Sequence, residues 1–214
     1  MLSERATASG LANVFEETFN KNNDVFRIMR EPVSSMTVLG DFCKSFCNVL
    51  EKHATYVIVS GFMVIALGRP RGTEDIDIII EPISKAAFET LHQKLISNGF
   101  VCMQSEHAEE IYSEYLKHNL SVRYTFDNEP LPEMEIKFAK DTLDLLQLKN
   151  RVKIPETNLD VWFTTAEANI AYKEEYLKSD KDREDARYTR LFFGKKIKEE
   201  SINEWKNLIH RYKQ

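Results

Sequence analysis

The chain is poor in the residues that punctuate and staple small β-rich proteins, with seven glycines, six prolines and three cysteines in 214 residues. So few turn formers, without an even rhythm of strands and turns, exclude a β-barrel or a collagen-like repeat and favour a mixed fold of helices and sheet. The three cysteines are an odd number. Cys43 and Cys47 stand one helical turn apart in an apolar stretch with no further ligand nearby, and Cys102 stands alone. They read as small buried hydrophobes rather than as a metal site. Long apolar runs are missing as well, since none approaches the ~20 residues that cross a bilayer. The first 35 residues carry Glu4, Arg5, Glu16, Glu17, Lys21 and Asp24 where a secretory leader needs an apolar block. A soluble, cytoplasmic chain with no membrane partner is expected. Excess positive charge is also absent: 29 Lys and Arg against 34 Asp and Glu leave −5. That balance excludes broad electrostatic binding of nucleic acid while leaving room for a local site.

Several catalytic motifs are missing. The five histidines are scattered, with no pair at metal-ligand spacing, which disfavours a zinc hydrolase. There is no Gly-x-x-x-x-Gly-Lys-Ser/Thr loop and no Gly-x-Ser-x-Gly turn, so a P-loop ATPase and a serine hydrolase of that type are disfavoured too. What is present is a core. Thirteen phenylalanines and eight tyrosines exclude a wholly disordered chain, and the length suits one domain or a two-lobed pair.

Helical spacing of Val38, Leu39, Phe42, Phe46, Val49 and Leu50 predicts a core-facing helix over 36–53. A β-branched run over 56–59 predicts a strand ended by Ser60-Gly61, followed by a short helix over 62–67. A second strand is predicted over 75–80, stopped by Pro82, and Ser84 caps a helix reaching 97. Residues 104–118 read as helical. Alternation at Val122, Tyr124 and Phe126, and again at Met134, Ile136 and Phe138, predicts two strands around a proline-rich turn at 128–132. Helical periodicity resumes after Asp141, and 152–163 supplies short strands or loop anchors. Thr164 with Glu167 has the form of a capping box for the next helix. Helices over 182–193 and 201–213 close the chain, and Trp162 and Trp205 read as packing residues. The expected division is an N-terminal helical extension (1–35), a sheet-and-helix core (36–150) and a mainly helical lobe (151–214).

The chemistry lies in Val59-Ser60-Gly61 followed by Asp75-Ile76-Asp77. Side chains alternate across a strand, so Asp75 and Asp77 share one face while Ile76 and Ile78 take the other. Two adjacent carboxylates repel each other, and a hard cation such as Mg²⁺ relieves that repulsion. The plain alternative is an edge strand with two solvated aspartates, in spite of the low strand propensity of Asp. A glycine where a strand turns into a helix lets a phosphate approach unpaired N–H groups.

This pattern of an apolar residue, Ser60-Gly61, a spacer and Asp75-Ile76-Asp77-Ile78 resembles the polymerase-beta-like nucleotidyltransferase superfamily, with Phe62 where a second small residue is common. The likeness is to small prokaryotic, toxin–antitoxin-type members. It extends through Ile170-Ala171-Tyr172-Lys173 and the Lys-Asp-x-x-Asp segment at 181–185. The resemblance implies an α/β (α+β) fold in which a nucleotidyltransferase-like mixed sheet is flanked by helices and followed by a C-terminal helical lobe. It also implies transfer of a nucleoside monophosphate from a nucleoside triphosphate to an acceptor hydroxyl, with release of pyrophosphate and with Mg²⁺ or Mn²⁺ as cofactor. The acceptor is open among a protein, an RNA end and a small molecule, and a toxin–antitoxin partner is part of the same expectation.

A third acidic residue on a neighbouring strand completes the metal site in that superfamily. Glu135 is the first candidate, with Glu133 and Asp127 as rivals and a solvated strand glutamate as the alternative. The expected metal and catalytic set is therefore Asp75, Asp77 and Glu135. The expected nucleotide set is Ser60, Gly61, Arg69, Arg71, Thr73 and Lys173, with Lys178 behind Lys173. The charges at 181–185 read mainly as a solvated helix start carrying salt links. A non-catalytic nucleotide-binding or antitoxin-like module on the same fold is the alternative function.

Overall fold

The computed structural model describes residues 34–70, 72, 73 and 75–213. The expected N-terminal extension up to residue 33, and Arg71 of the expected nucleotide set, lie outside the described residues. The first helix, α1 (Ser34–Leu50), forms where the apolar spacing predicts it. Leu39, Phe42, Phe46 and Leu50 are buried on one face, while Val38 is 59% exposed and does not belong to the stripe. The helix stops at Leu50, and residues 51–53 turn towards the sheet.

The chain then runs β1 (Tyr56–Ile58), α2 (Phe62–Ala66), β2 (Asp75–Ile80), α3 (Lys85–Ser97) and β3 (Phe100–Cys102). An irregular helical stretch at 108–118 leads to β4 (Val122–Phe126) and β5 (Glu129–Phe138). There follow α4 (Thr142–Lys149), the two-residue strands β6 (Val152–Lys153) and β7 (Trp162–Phe163), and three helices: α5 (Ala166–Ala171), α6 (Asp180–Phe193) and α7 (Glu199–Tyr212). A wider, π-type turn continues α5 from Tyr172 to Leu177. Among the described residues no helix is long and apolar enough to cross a membrane.

The seven strands form one mixed sheet in the order β3-β4-β5-β2-β1-β7-β6. The centre of the sheet is the parallel pair β2 and β5, flanked by the antiparallel neighbours β1 and β4. Alternation assigns the two faces. Ile76, Ile78, Ile80, Met134, Ile136 and Phe138 point into the main core with the aromatic side chains of α1 and α3. There Phe46 packs on Phe100 with ring centroids 5.1 Å apart, and Phe42 on Phe126 at the same separation. The other face of β2 and β5 carries Asp75, Asp77, Glu133, Glu135 and Lys137, and further along it Ile79 packs with Val57, Ala139 and Leu148. A second cluster joins Leu143 of α4 to Ala168, Ile170 and Ala171 of α5, Ala186 of α6, and Ile202, Trp205 and Ile209 of α7.

Four local expectations change. β3 was not predicted, because three residues are too few to show alternation. The proline-rich turn is shorter than expected: the chain reverses at 127–128, with Asn128 at φ 63°, and β5 already begins at Glu129. The prolines are tolerated there because pairing with β2 starts only at Glu133, so residues 129–132 need no donors on that side. The cap of α5 is Thr165, whose hydroxyl accepts from the Ala168 N–H at 3.1 Å, whereas Thr164 is buried and donates to Gln147 Oε1. The capping box in this part of the chain belongs to Ser179 and Asp182, at the start of α6. The fourth change is in the 181–185 segment, where Asp185 is fully buried instead of solvated.

Candidate active site

The parallel register of β2 and β5 builds the site. Asp75 lies beside Glu133 and Asp77 beside Glu135, so the two aspartates and the glutamate share one face of the sheet. Ligand oxygens of Asp75, Asp77 and Glu135 all lie within 4.8 Å of one another. Among the described residues this is the one group of three or more acidic, His or Cys side chains close enough to share an ion. Three half-buried carboxylates with no nitrogen or sulfur donor fit a hard, oxygen-seeking divalent cation of the Mg²⁺ or Mn²⁺ kind.

The electrostatics are those of a site prepared for positive charge. Burial, then Asp75, then Glu135 push the Asp77 carboxyl up from 3.8 to about 6, against a hydrogen bond from Ser60 that favours its ionised form. Thr73 Oγ1 donates to Asp75 Oδ1 at 2.9 Å and so fixes that carboxylate from the loop before β2. Arg123, opposite Glu135 on β4, donates to Glu135 Oε2 at 3.1 Å and lies 3.2 Å from Glu133 Oε2. Its guanidinium is 47% exposed, so it serves as a loose counter-ion to the glutamates. A proton competes with a cation for Asp77. Affinity for Mn²⁺ is therefore expected to be full above pH 7 and to fall about tenfold per pH unit below about 6, which a calorimetric titration between pH 5 and 8 checks.

The turn between β1 and α2 is built differently from its sequence reading. Ser60 takes the left-handed conformation, at φ 64°, while Gly61 is buried with an ordinary helical φ of −78°. Two long-range contacts hold this turn. The Val59 N–H donates to the Asp77 carbonyl at 3.0 Å, and Asn169 Nδ2 of α5 donates to the Ser60 carbonyl at the same distance.

Arg69 and Lys173 meet at α6. Lys173 is fully buried, its ammonium 2.7 Å from Asp185 and 3.2 Å from Asp182. Arg69 pairs with Asp185 as well and donates to Glu184 at 2.7 Å. Tyr188 of α6 donates to the Leu67 carbonyl, and Lys181 reaches the Gly72 carbonyl. These contacts strap the loop carrying Arg69 and Thr73 onto the helical lobe. Lys178 stands at the end of the π-type turn, half exposed beside Glu175.

Between the carboxylates and the lobe lies a cavity of about 210 Å³. Asp77, Glu135, Lys137, Asn169, Tyr172 and Lys173 are among its walls. The structure thus brings Asp75, Asp77 and Glu135 together, with Ser60 beside Asp77 and Lys173 across the cavity. Arg69 faces α6. Asn169 and Arg123 were not singled out from the sequence, and Asp185, the last residue of the Lys-Asp-x-x-Asp segment, was read there as solvated. Only the β4–β5 register shows that Arg123 faces Glu135, and only the docking of α5 brings Asn169 to Ser60.

No protein-family model matches the chain, and no curated protein matches it. Among solved structures it is similar to the solution structure of the antibiotic-resistance factor ANT(2'')-Ia, with 16% identity and a TM-score of 0.49, over 82% of this chain and 92% of that one. A likeness of that size assigns no activity to this chain.

Proposed function

We propose that the protein is a metal-dependent nucleotidyltransferase. The observation that carries this reading is the closeness of the third carboxylate. A non-catalytic module needs no acidic group on the neighbouring strand, whereas Glu135 lies in register with Asp77, its oxygen within 4.8 Å of the two aspartates. Asp75, Asp77 and Glu135 would hold Mg²⁺ or Mn²⁺. When bound, the ions supply Lewis-acid polarisation of the α-phosphoryl group and a lowered pKa for the attacking hydroxyl.

The chain's own residues prepare that step. Thr73 orients Asp75, Ser60 favours the ionised form of Asp77, and Arg123 is a loose counter-ion to Glu135, whose face the β2–β5 register sets. Ser60, Gly61 and Thr73, with Lys173 across the cavity, form the triphosphate side, and Arg69 steadies their loop from its place against α6. Arg69 and Lys173 act there through Asp185, which ties the loop to the lobe. An acceptor oxygen forms a bond to the α-phosphorus, the bond from that phosphorus to the bridging oxygen breaks, and pyrophosphate leaves. The acceptor's proton passes to Glu135 or to solvent. Stabilisation of charge on the transferred group is electrostatic throughout. The acceptor class, whether RNA end, protein or small molecule, and a toxin–antitoxin partner follow only from the family resemblance.

The test is incubation with each α-labelled nucleoside triphosphate and Mg²⁺, with RNA, protein and small-molecule fractions offered as acceptors in parallel. Label is expected in one fraction, together with pyrophosphate, for the wild type and not for Asp75→Asn. Equal labelling by both proteins contradicts the reading.

A further inference from the structure

We propose that Asn169 receives a ribose hydroxyl of the bound nucleoside triphosphate and makes the site selective for ribonucleotides, an inference that rests on the nucleotidyltransferase reading above. Asn169 is 2% exposed and lines the cavity beside the carboxylates. Its Nδ2 donates to the Ser60 carbonyl at 3.0 Å, which fixes the orientation of the amide, because the flipped form would set two oxygens against each other. The remaining oxygen, Oδ1, is buried and has no hydrogen-bond partner among the described residues. A buried acceptor left unmatched is costly, and a ligand that supplies the donor removes that cost.

The chemistry of that donor follows from the atom. An amide oxygen accepts a hydroxyl or an amine hydrogen and gains nothing from a phosphate oxygen. With the triphosphate held at Asp75, Asp77 and Glu135, the hydrogen-bond donors nearest the phosphate chain are the hydroxyls of the sugar. Ser60 sets the spacing, because its hydroxyl bonds Asp77 while its carbonyl bonds Asn169. Ser60, Asp77 and Asn169 line the same cavity, so the amide stands at the wall that the carboxylates share. Beyond it, Tyr172, Tyr176 and Leu143 offer apolar and aromatic surface to the base, while Gln147 stands at the same wall. The amide is both a brace for the Ser60 turn and a reader of the sugar.

The experiment is a calorimetric titration of the full chain, with Mn²⁺ present, against non-hydrolysable α,β-methylene triphosphates in ribo, 2'-deoxy and 3'-deoxy forms, for each base. The wild type is expected to bind the ribo form about tenfold more tightly than at least one deoxy form, which equals ~1.4 kcal/mol. In Asn169→Ala the ratio of ribo to deoxy affinity is expected to fall to within about threefold of one, whatever loss all three forms share through the unbraced Ser60 turn. Asn169→Ser replaces it if Asn169→Ala does not melt cooperatively. Equal binding of all three forms by the wild type overturns the inference while leaving the enzyme reading in place, and so does a folded variant that keeps the preference. Absence of any nucleotide binding overturns both.

Discussion

Asp77→Asn is expected to lower nucleotidyl transfer at least about 10³-fold while raising the melting temperature of the metal-free protein. The two effects share a cause. Three carboxylates within 4.8 Å serve a cation and repel one another without it. Asp77 binds its proton more tightly folded than unfolded, so its contribution to stability is present below about pH 4 and is lost as pH rises from 3.8 through about 6. Above that window, the ionised carboxylate costs the metal-free fold roughly 3 kcal/mol at most, from the rise to about 6. Asparagine removes the charge and nearly conserves the shape. Differential scanning calorimetry in chelator should show the variant melting above the wild type at pH 8, with the gap closing at pH 4. Activity with Mg²⁺ should be absent at either pH. A variant that is active, or that melts lower at pH 8, contradicts the metal assignment. This opposition of stability and function is characteristic of sites built to hold charge.

Lys173→Met is expected to lower stability by roughly 3–5 kcal/mol, the usual cost of removing one partner of a buried ion pair. Methionine has nearly the same volume, so the loss is not a cavity effect. It comes from Asp185, which is fully buried and keeps only part of its compensating charge when the ammonium is removed. For a chain of this size the melting temperature should fall by roughly 10 °C. Lys178→Met, half exposed and, among the described residues, paired only with Glu175, is the control and should stay within about 0.5 kcal/mol. Because Arg69 shares Asp185, the same change should loosen the loop between α2 and β2 and raise the KM for the triphosphate. A melting temperature within 2 °C of the wild type, as an order-of-magnitude threshold of about 1 kcal/mol, sinks the buried-lock account.

The parts of the molecule that were legible in the sequence are those that depend on local periodicity. The β2 strand is readable because Asp-Ile-Asp-Ile-Ile-Ile sets carboxylates and core residues on opposite faces, and pairing repeats that alternation. Ser84 was readable as a cap because a serine hydroxyl at the start of a helix meets an unpaired N–H. Glu135 was readable as a strand residue facing away from the core, but its place beside Asp77 depends on a parallel pairing between distant segments that no local pattern encodes. The same limit hid Arg123 and Asn169. Lys173 stood out by its motif, yet its burial was not legible, because Asp182 and Asp185 look like ordinary surface charge until α6 packs against α5. Ser60 ran against expectation in another way: the glycine beside it drew attention, while the serine takes the left-handed backbone.

Titration of the protein with Mn²⁺, followed by electron paramagnetic resonance, tests the metal-site claim without requiring any acceptor. The wild type should bind Mn²⁺, with further uptake when a non-hydrolysable nucleoside triphosphate is added, and Asp77→Asn should leave the ion free in solution under both conditions. Mn²⁺ that stays free with the wild type, or that binds equally to Asp77→Asn, would contradict the assignment of Asp75, Asp77 and Glu135 as the metal site.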